Sequence, residues 1–332
     1  MKIAINGFGR IGRLVYRIME EDSFFDVVAI NDLSSSEELA YLLKYDSNLR
    51  GYKKEVSFDE EGIIVDDKKV KVYAEKDPKN LPWKELGIDL VFECTGRFTK
   101  EEDAMLHIEA GAKKVLVSAP CKGNVKTVVY GVNDDIIDDC DVLLSAASCT
   151  TNCLAPVVKV LNDNFGIEKG FMTTVHAYTN DQVNLDVTHK KGINERRGRA
   201  SAINIIPTST GAATAIGRVL PELDGKLSGG ALRVPVSDGS LIDLTLELVE
   251  KVTEDEINSA FINNSNEVLK VTNDPIVSSD IIGTSQGATV DLALTKVIEV
   301  DGKQMVKVVA WYDNEFGYSN QMVRTARVFL ER

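Results

Sequence analysis

Residues Asn6–Gly12 read NGFGRIG and decide how the first third of the chain folds. Their glycines follow the pattern Gly-x-Gly-x-x-Gly, directly after a predicted strand and at the start of the helical periodicity of Arg10–Glu21. In such a turn Gly7 permits the tight bend, Gly9 lets the backbone approach a pyrophosphate, and Gly12 allows the helix to pack closely on the strand. The N–H groups at the helix N-terminus favour an anion. The stretch therefore predicts a strand–turn–helix unit that binds a dinucleotide.

An acidic residue is expected about 20 residues after the glycines, where it holds the ribose hydroxyls of the dinucleotide. Asp32 stands in that place, because it follows the second predicted strand, Asp26–Asn31. Its carboxylate repels a 2′-phosphate, so the sequence predicts NAD in preference to NADP. A glycine-rich turn without a ligand is the alternative, and the strand, the helix and the acid together favour the dinucleotide site.

The order of the predicted elements divides the chain into two domains. Up to residue 148, strands alternate with helices, as in βαβ units on a parallel sheet, with antiparallel hairpins joined at 61–62 and 66–67. One of these helices is predicted over Ser36–Lys44, with Ser36 as N-cap. After Gly170 longer alternating strands follow, including Ala288–Val300, with few helices between them. We expect a Rossmann-type doubly wound parallel sheet over 1–148 and 313–332, and an α+β catalytic domain with a mainly antiparallel sheet over 149–312.

Composition and charge narrow the class of protein. The 332 residues are 44% hydrophobic and 27% charged, and no apolar run approaches the roughly 20 residues of a membrane span. The N-terminus leaves no room for a signal peptide, so we expect a cytoplasmic protein that does not enter membranes. A net charge of −13 repels phosphate backbones and argues against nucleic acid as the main partner. An anionic metabolite requires a local cluster of arginines, hydroxyls and helix N-termini.

Five cysteines, an odd and small number, argue against a disulfide framework. Cys149 lies between a predicted buried strand and a predicted helix over Thr151–Asn164, and a helix N-terminus lowers the pKa of a thiol. This predicts a nucleophile for a carbonyl group. A buried inert thiol is the alternative, which fits Cys94 and Cys140 better because they lie in or beside apolar strands. Cys153 is interpreted as a packing residue, and no metal site is predicted.

A cysteine nucleophile needs a base that holds a proton near neutral pH, and the chain has three histidines. His107, in the helical pattern 104–111, and His189, in a polar loop, are expected at the solvated surface. His176 lies in a predicted strand beside hydroxyl-bearing residues. From the residues alone, a hydrogen-bonded structural histidine and a catalytic base both remain open for His176, with the structural role slightly favoured.

Five motifs together resemble one enzyme family over the whole chain. They are NGFGRIG at 6–12, ASCTTN at 147–152, TVHAYT at 174–179, PTSTGAA at 207–213 and WYDNE at 311–315. In these residues and their order the chain is similar to the phosphorylating glyceraldehyde-3-phosphate dehydrogenases. The resemblance implies a glycolytic oxidoreductase in which Cys149 forms a hemithioacetal with glyceraldehyde 3-phosphate and a hydride passes to NAD. Inorganic phosphate then cleaves the thioester to give 1,3-bisphosphoglycerate, with His176 as base and as imidazolium partner of the thiolate.

The resemblance also implies the binding residues. The substrate phosphate is expected at Thr179 and Arg233. The attacking phosphate is expected at Ser148, Thr150, Thr210, Gly211 and Arg197, with Arg196 as alternative because the alignment of this longer segment can shift by one residue. The cofactor is expected at Gly7, Gly9, Arg10, Ile11, Asp32, Lys76, Thr95, Ser118 and Asn314.

The same family resemblance bears on the choice between NAD and NADP, on the oligomeric state and on the alternative functions. Leu33 fits NAD use, whereas Val187-Thr188 stand where NAD-specific relatives often carry Leu-Pro, which leaves strict selectivity open. The family implies a homotetramer with the loop 179–199 near a neighbour's cofactor. A dehydrogenase of erythrose 4-phosphate is the alternative enzyme, and an NAD-sensing or surface-binding protein is the alternative class. The threonines and arginines of the phosphate sites favour the phosphorylating reaction.

Overall fold

The computed structural model describes residues 1–189 and 192–332, which leaves Lys190 and Lys191 of the polar segment 179–199 outside the described part. It forms two compact units, one of Met1–Ser148 with Ser319–Arg332 and the other of Cys149–Tyr318. In the described ranges, no helix combines the length and the apolar character needed to cross a bilayer.

The first unit contains a nine-stranded sheet and five helices that precede residue 148. Its strands are β1 (Lys2–Asn6), β2 (Asp26–Asn31), β3 (Val56–Asp59), β4 (Gly62–Val65), β5 (Lys68–Tyr73), β6 (Leu90–Glu93), β7 (Lys114–Val117), β8 (Lys126–Thr127) and β9 (Leu143–Ser145). Its helices are α1 (Arg10–Met19), α2 (Ser36–Lys44), α3 (Trp83–Leu86), α4 (Glu101–Ala104) and α5 (Leu106–Glu109).

The strand order of this sheet is β3-β4-β5-β2-β1-β6-β7-β9-β8. From β5 to β8 all neighbours are parallel, so the Rossmann-type sheet is confirmed, and β3, β4 and β5 form the expected antiparallel hairpins. The chain leaves β1 toward β2 on one side and returns to β6 on the other, which creates a switch point where α/β proteins bind ligands. The turns at the carboxyl ends of β1, β2 and β6 therefore define where to look for a dinucleotide.

Some element ends differ from the sequence predictions. The N-cap of α2 is Ser35, not Ser36: its hydroxyl accepts from Glu38 N–H at 3.3 Å and its own N–H donates to the Glu38 carboxylate at 2.9 Å. This reciprocal capping box satisfies two backbone donors, which Ser36 would not do. The strand predicted over Ala288–Val300 is interrupted by a 3₁₀ turn at Leu292–Leu294. The first hairpin turns at 60–61, one residue earlier than predicted.

The second unit contains an eight-stranded sheet of order β11-β12-β10-β13-β17-β15-β14, with β16 paired to β17. Its elements are α6 (Cys149–Phe165), β10 (Ile167–Ala177), β11 (Ile206–Thr208), α7 (Ala212–Val219), β12 (Leu227–Val234), β13 (Ser240–Leu248), α8 (Glu254–Asn263), β14 (Leu269–Thr272), β15 (Ala288–Asp291), β16 (Lys296–Val300) and β17 (Lys303–Tyr312). Helix α9 (Phe316–Glu331) begins at its end. Most pairs are antiparallel, which confirms the mainly antiparallel sheet.

Strand β10 positions the side chains of the candidate site. Its side chains alternate between two faces, so Met172, Thr174 and His176 are buried on one face while Phe171 is 69% exposed on the other. Helix α6 packs against β10 and is buried over most of its length, including the polar residues Thr150, Thr151 and Asn152. The parallel register of β10 and β12 pairs His176 with Arg233, which brings a base and a cation together at one end of the sheet.

Candidate active site and dinucleotide site

Cys149 is the first residue of helix α6, as its expected place at a helix N-terminus requires. Ala147, two residues earlier, has φ +57°, a left-handed backbone that non-glycine residues rarely adopt. Strained residues of this kind persist where the surroundings hold them, and they are concentrated at functional sites.

The Cys149 thiol and the His176 imidazole form a pair, with 3.4 Å between Sγ and Nε2. The Nδ1 atom of His176 lies 2.7 Å from the carbonyl oxygen of Ala177, which can only accept a hydrogen bond. Nδ1 therefore carries the proton of the neutral imidazole, and Nε2 presents a lone pair to the thiol. In this tautomer His176 Nε2 can accept the Cys149 proton. The contact favours the catalytic role of His176 over the purely structural role that the sequence also allowed.

Burial opposes separate charges on this pair. Burial raises the pKa of the Cys149 thiol, against the lowering effects of Arg233 and of the nearby hydroxyl and backbone N–H of Thr150. Burial, reinforced by Arg233, lowers the pKa of His176 to about 3. The sequence predicted that the helix N-terminus lowers the pKa of the Cys149 thiol. With His176 neutral this prediction is wrong, because desolvation of the thiolate outweighs the helix dipole. Transfer of the thiol proton to His176 creates an adjacent imidazolium that favours the thiolate, so the pair holds one shared proton at neutral pH.

Arg233 connects the base to a hydroxyl. Its Nη1 donates to Ala177 O at 2.9 Å and to Thr179 Oγ1 at 2.8 Å, and lies 3.2 Å from His176 Nδ1. Its Nε is buried and has no hydrogen-bond partner among the described residues. A buried guanidinium N–H without an acceptor is costly, so this atom is suited to an anionic ligand. The expected substrate-phosphate residues Thr179 and Arg233 are thus brought together.

Arg197 joins the same cluster through Asp181. Its guanidinium forms an ion pair with the Asp181 carboxylate, which also accepts a hydrogen bond from the Thr179 hydroxyl. Nε of Arg197 donates to Thr208 Oγ1 at 3.1 Å. Arg196 is exposed, whereas Arg197 is half-buried against the segment that leads into α7. Of the two arginines, Arg197 is the one whose side chain lies with the other candidate phosphate residues.

The remaining expected phosphate residues lie at or just before the N-terminal ends of α6 and α7. Gly211 is the N-cap of α7, and Thr210 accepts a hydrogen bond from Ala212 N–H at 3.2 Å. Ser148 directly precedes α6 and is the last residue of the first unit. The Thr150 hydroxyl is 2.9 Å from Tyr312 Oη and buried, which leaves the Thr150 backbone N–H, at the start of α6, as its contribution to an anion.

Tyr312 is a site residue that the sequence analysis missed. Its hydroxyl lies 2.9 Å from both Thr150 Oγ1 and Thr174 Oγ1, and its ring packs edge-on against His176 at 5.9 Å between centroids. Thr174 donates to Leu241 O at 3.0 Å, so Tyr312 donates to Thr174 and accepts from Thr150. Tyr312 therefore ties the start of α6 to β10. Its position in the motif WYDNE was the available signal.

A cavity of about 520 Å³ opens at the switch point of the first unit, within the size range of cofactor sites. It is lined by Asn6, Gly7, Gly9, Asn31, Asp32, Leu33, Glu75, Lys76, Cys94, Thr95, Arg97 and Phe98. The expected residues Gly7, Gly9, Asp32, Lys76 and Thr95 are thus together.

The glycine turn in this cavity has the geometry that a dinucleotide needs. Gly7 has φ +89°, and a Cβ on it would lie 2.7 Å from Thr95 N. A Cβ on Gly12 would lie 2.1 Å from Gly7 O, so neither position tolerates a side chain. The first backbone hydrogen bond of α1 runs from Arg13 N–H to Gly9 O at 3.1 Å. The N–H groups before Arg13, including that of Ile11, therefore lie at the positive end of the helix dipole. These features fit a pyrophosphate group.

The other expected cofactor residues are placed as follows. Asp32 accepts from Phe8 N–H at 2.8 Å and Ser34 N–H at 3.0 Å, which holds its carboxylate at the cavity. The Arg10 guanidinium is bound to Asp46, so the part of Arg10 available to a pyrophosphate is its backbone. Ser118 follows β7 and does not line the cavity. Its side chain forms a hydrogen bond with Cys94, which does line the cavity.

Asn314 belongs to the second unit, where it is buried. Ser240 Oγ donates to Asn314 Oδ1 at 2.6 Å and accepts from Ala177 N–H at 3.0 Å. This fixes the side-chain amide so that Nδ2 is its remaining donor, and it links Asn314 to the residue next to His176. Ser240 is a further residue that no sequence motif indicated.

Two sequence predictions about cysteine and histidine are wrong. His107 is fully buried rather than solvated, with hydrogen bonds to Glu93 and Trp83. Cys140 is exposed rather than buried, because β9 starts only at Leu143. Cys153 is buried in α6, which confirms its interpretation as a packing residue, and burial raises the pKa of its thiol.

Known proteins resemble this chain over its full length. Residues 148–314 match the family model described as glyceraldehyde 3-phosphate dehydrogenase, C-terminal domain, and residues 1–101 match the NAD binding domain of the same family. The glyceraldehyde-3-phosphate dehydrogenases of Clostridium pasteurianum and Clostridium acetobutylicum are 56% and 55% identical to it, over 99% of this chain and 98% of each relative. That of Streptococcus pyogenes is 52% identical over 100% of this chain and 98% of the relative. The chain belongs to the glyceraldehyde-3-phosphate dehydrogenase family.

Proposed function

We propose that this chain oxidises glyceraldehyde 3-phosphate with NAD and inorganic phosphate to 1,3-bisphosphoglycerate, as a glycolytic enzyme. The observation that carries the proposal is the pair of Cys149 Sγ and His176 Nε2, 3.4 Å apart, with Arg233 in contact with His176 and Thr179. A nucleophile, its base and a phosphate-binding guanidinium are the groups that this reaction needs. Residues 1–148 and 313–332 are assigned to NAD binding, and residues 149–312 to chemistry and phosphate binding; residues 313–318, which include Asn314, pack with the second unit.

The first step is addition of Cys149 to the aldehyde carbon. As the carbon–sulfur bond forms, the thiol proton passes to His176 Nε2, which accepts it because Nδ1–H is engaged by Ala177 O. The imidazolium then protonates the aldehyde oxygen to give a hemithioacetal. When the hydroxyl proton returns to His176 and a hydride leaves the carbon, a thioester remains on Cys149. Bound NAD supplies the hydride acceptor.

Phosphate then releases the acyl group from Cys149. We assign the substrate phosphate to Thr179 and Arg233, a choice supported by the Arg233 Nε that has no partner in the part of the chain the structure describes. The attacking phosphate is assigned to Arg197, Ser148 and the N-terminal ends of α6 and α7, at Thr150 and at Thr210-Gly211. Its oxygen attacks the thioester carbon, and the sulfur leaves as the thiolate that His176 reprotonates.

An assay of NADH formation with glyceraldehyde 3-phosphate, with and without inorganic phosphate, tests the proposal. We expect continuous turnover with phosphate, and without it a burst of one NADH per chain followed by a stall, because the thioester has no acceptor. Continuous turnover without phosphate would indicate release by water, as the erythrose-4-phosphate dehydrogenase alternative implies. Absence of any burst would contradict the proposed activity and favour a non-catalytic role.

The enzyme is expected to prefer NAD, because Asp32 follows β2 and lines the cavity. An acidic residue at this place holds the ribose hydroxyls and repels a 2′-phosphate. Asp32→Asn removes the charge and keeps the shape, so we expect the ratio of kcat/KM for NAD to that for NADP to fall by about tenfold, the value of one interaction of about 1.4 kcal/mol. Steady-state kinetics with both cofactors measure this ratio. A higher kcat/KM for NADP than for NAD in the unaltered enzyme would contradict the assignment, and Val187-Thr188 would then be the next residues to exchange.

We further propose that the chain assembles as a cytoplasmic homotetramer. Exposed apolar side chains support an interface between copies, among them Ile193, at 99% exposure, in the segment 179–199, and Phe171 on β10. Light scattering is expected to give a mass four times the 36.4 kDa of the chain. A monomeric mass at micromolar concentration would contradict the assembly without affecting the proposed reaction.

A further inference from the structure

A buried hydrogen-bond network borders the dinucleotide cavity and takes no part in the proposed chemistry. Its central residue is Glu93, the last residue of β6, whose side chain is 1% exposed. His107 and Trp83 complete its inner part and are 0% exposed. A buried carboxylate is costly unless its acceptors are satisfied, so the arrangement around Glu93 requires an explanation.

The Glu93 carboxylate accepts hydrogen bonds from four donors and donates none. Oε1 accepts from the N–H of Thr95 at 2.8 Å and from the Thr95 hydroxyl. Oε2 accepts from Asn6 Nδ2 at 2.5 Å and from His107 Nε2 at 3.1 Å. An ionised carboxylate is the side chain that only accepts, and no neutral side chain of the same size can satisfy four donors.

Trp83 sets the direction of the network. Its indole Nε1–H can only donate, and it lies 3.0 Å from His107 Nδ1. Nδ1 of His107 is therefore an acceptor, and the proton of the neutral imidazole is on Nε2, where it donates to Glu93. The imidazole thus delivers a hydrogen bond to the carboxylate from the core side.

On the cavity side, the network reaches the turns that line the dinucleotide cavity. Asn6 Oδ1 accepts from Asn31 Nδ2 at 2.7 Å, and Asn31 Oδ1 accepts from Glu75 N–H at 2.8 Å. Asn6 and Asn31 end β1 and β2, and Glu75 and Thr95 stand two residues after the ends of β5 and β6. All four residues line the cavity. Through these bonds Glu93 connects the four turns.

The Thr95 backbone also fixes the glycine turn. Gly7 lies so close to it that an added Cβ would be 2.7 Å from Thr95 N and 2.8 Å from Cys94 C. Interiors are close-packed, so a shift of Thr95 by a few tenths of an ångström displaces Gly7 and the N-terminus of α1. The acceptor that holds Thr95 therefore also sets the position of the pyrophosphate cradle.

We infer that Glu93 is a positioning residue for the dinucleotide, oriented by the Trp83–His107 pair and acting through Asn6 and Thr95. This inference rests on the proposed use of NAD as cofactor. It assigns a role in cofactor affinity to Glu93, His107 and Trp83, none of which belongs to the glycine motif or lines the cavity.

The test is Glu93→Gln in the full-length enzyme, with the dissociation constant of NAD measured by calorimetry. An amide nitrogen in place of either oxygen faces two donors, so we expect the Kd of NAD to rise by about tenfold or more. The KM of NAD should rise in parallel, while the KM of glyceraldehyde 3-phosphate stays unchanged. Leu90→Ala, at another buried position of β6, is the matched control: it lowers thermal stability and is expected to leave the Kd of NAD unchanged.

A second pair keeps the test usable if Glu93→Gln does not fold. In His107→Gln the amide nitrogen replaces the Nε2 donor, whereas His107→Met fills the space without a donor. We expect weaker NAD binding in His107→Met than in His107→Gln at equal melting temperature. An unchanged Kd in Glu93→Gln, an equal loss in Leu90→Ala, or equal affinities of the two His107 variants would overturn the inference. Normal NAD binding without NADH formation in the unaltered enzyme would instead contradict the proposed function.

Discussion

Cys149→Ser is expected to lower kcat for NADH formation by at least about 10³-fold, while NAD binding stays measurable. A serine hydroxyl ionises far less readily than a thiol, and the buried position of residue 149 opposes an alkoxide further. His176 Nε2, 3.4 Å away, is a base matched to a thiol rather than to an alcohol. Steady-state kinetics with glyceraldehyde 3-phosphate, NAD and phosphate give kcat, and calorimetry gives the Kd of NAD.

Cys153→Ser is the control for this prediction. Cys153 lies one turn further along α6, is fully buried, and has its sulfur 4.0 Å from Trp311 O, which a serine hydroxyl can approach as a donor. The same chemical change there should leave turnover near that of the unaltered enzyme. Near-normal turnover of Cys149→Ser would contradict the assignment of Cys149 as the nucleophile. An equal loss in Cys153→Ser would show that the helix, not the nucleophile, had been tested.

The first unit could be predicted well from sequence because its signals are local. The turn Gly7–Gly12, the acid Asp32 and the alternation of short apolar runs with helical periodicity all lie within about 30 residues, and each constrains its own neighbourhood. Element ends depend on single contacts. The capping box at Ser35 depends on the reciprocal bond to Glu38, and Ser36 has the same chemical type one position later.

The candidate site could be predicted only where a motif carried it. Cys149 and His176 are separated by 27 residues and meet because α6 packs on β10. Asp181 and Ser240 are ordinary polar residues in sequence, and their roles come from partners 16 and 74 residues away, Arg197 and Asn314. Contacts of this kind arise from tertiary packing, which no local pattern reports.

His107 shows how a local signal was misjudged. In the predicted helical pattern 104–111 it lies three residues after Ala104, which is fully buried, and this spacing places both residues on one face of the pattern. Because Trp83 supplies a donor and Glu93 an acceptor, burial of the imidazole is favourable there, and neither partner is close to His107 in sequence.

His176→Asn is expected to lower kcat by about 10²–10⁴-fold, the usual contribution of a general base. The asparagine amide can still donate to Ala177 O, as Nδ1 of His176 does, and only the function of Nε2 is lost. Alkylation of Cys149 by iodoacetamide reports this function without substrate. In the unaltered enzyme the pair holds one proton, so the rate is expected to be independent of pH between about 5 and 8. In the variant it should rise about tenfold per pH unit, because burial raises the pKa of the isolated thiol.

Stability against acid separates loss of this base from a general loss of structure. The pKa of His176 is lowered to about 3 in the folded enzyme, below its ordinary value, so the unfolded chain binds one more proton between these two values. The free energy of unfolding therefore falls as the pH drops through this window, by about 2 kcal/mol from pH 7 to pH 5 for one such group. Asparagine does not titrate, so urea unfolding of His176→Asn should show a smaller loss over the same interval. Equal losses in both proteins, together with alkylation of the variant at pH 7 at the rate of the unaltered enzyme, would show that Nε2 of His176 is not the partner of the thiol.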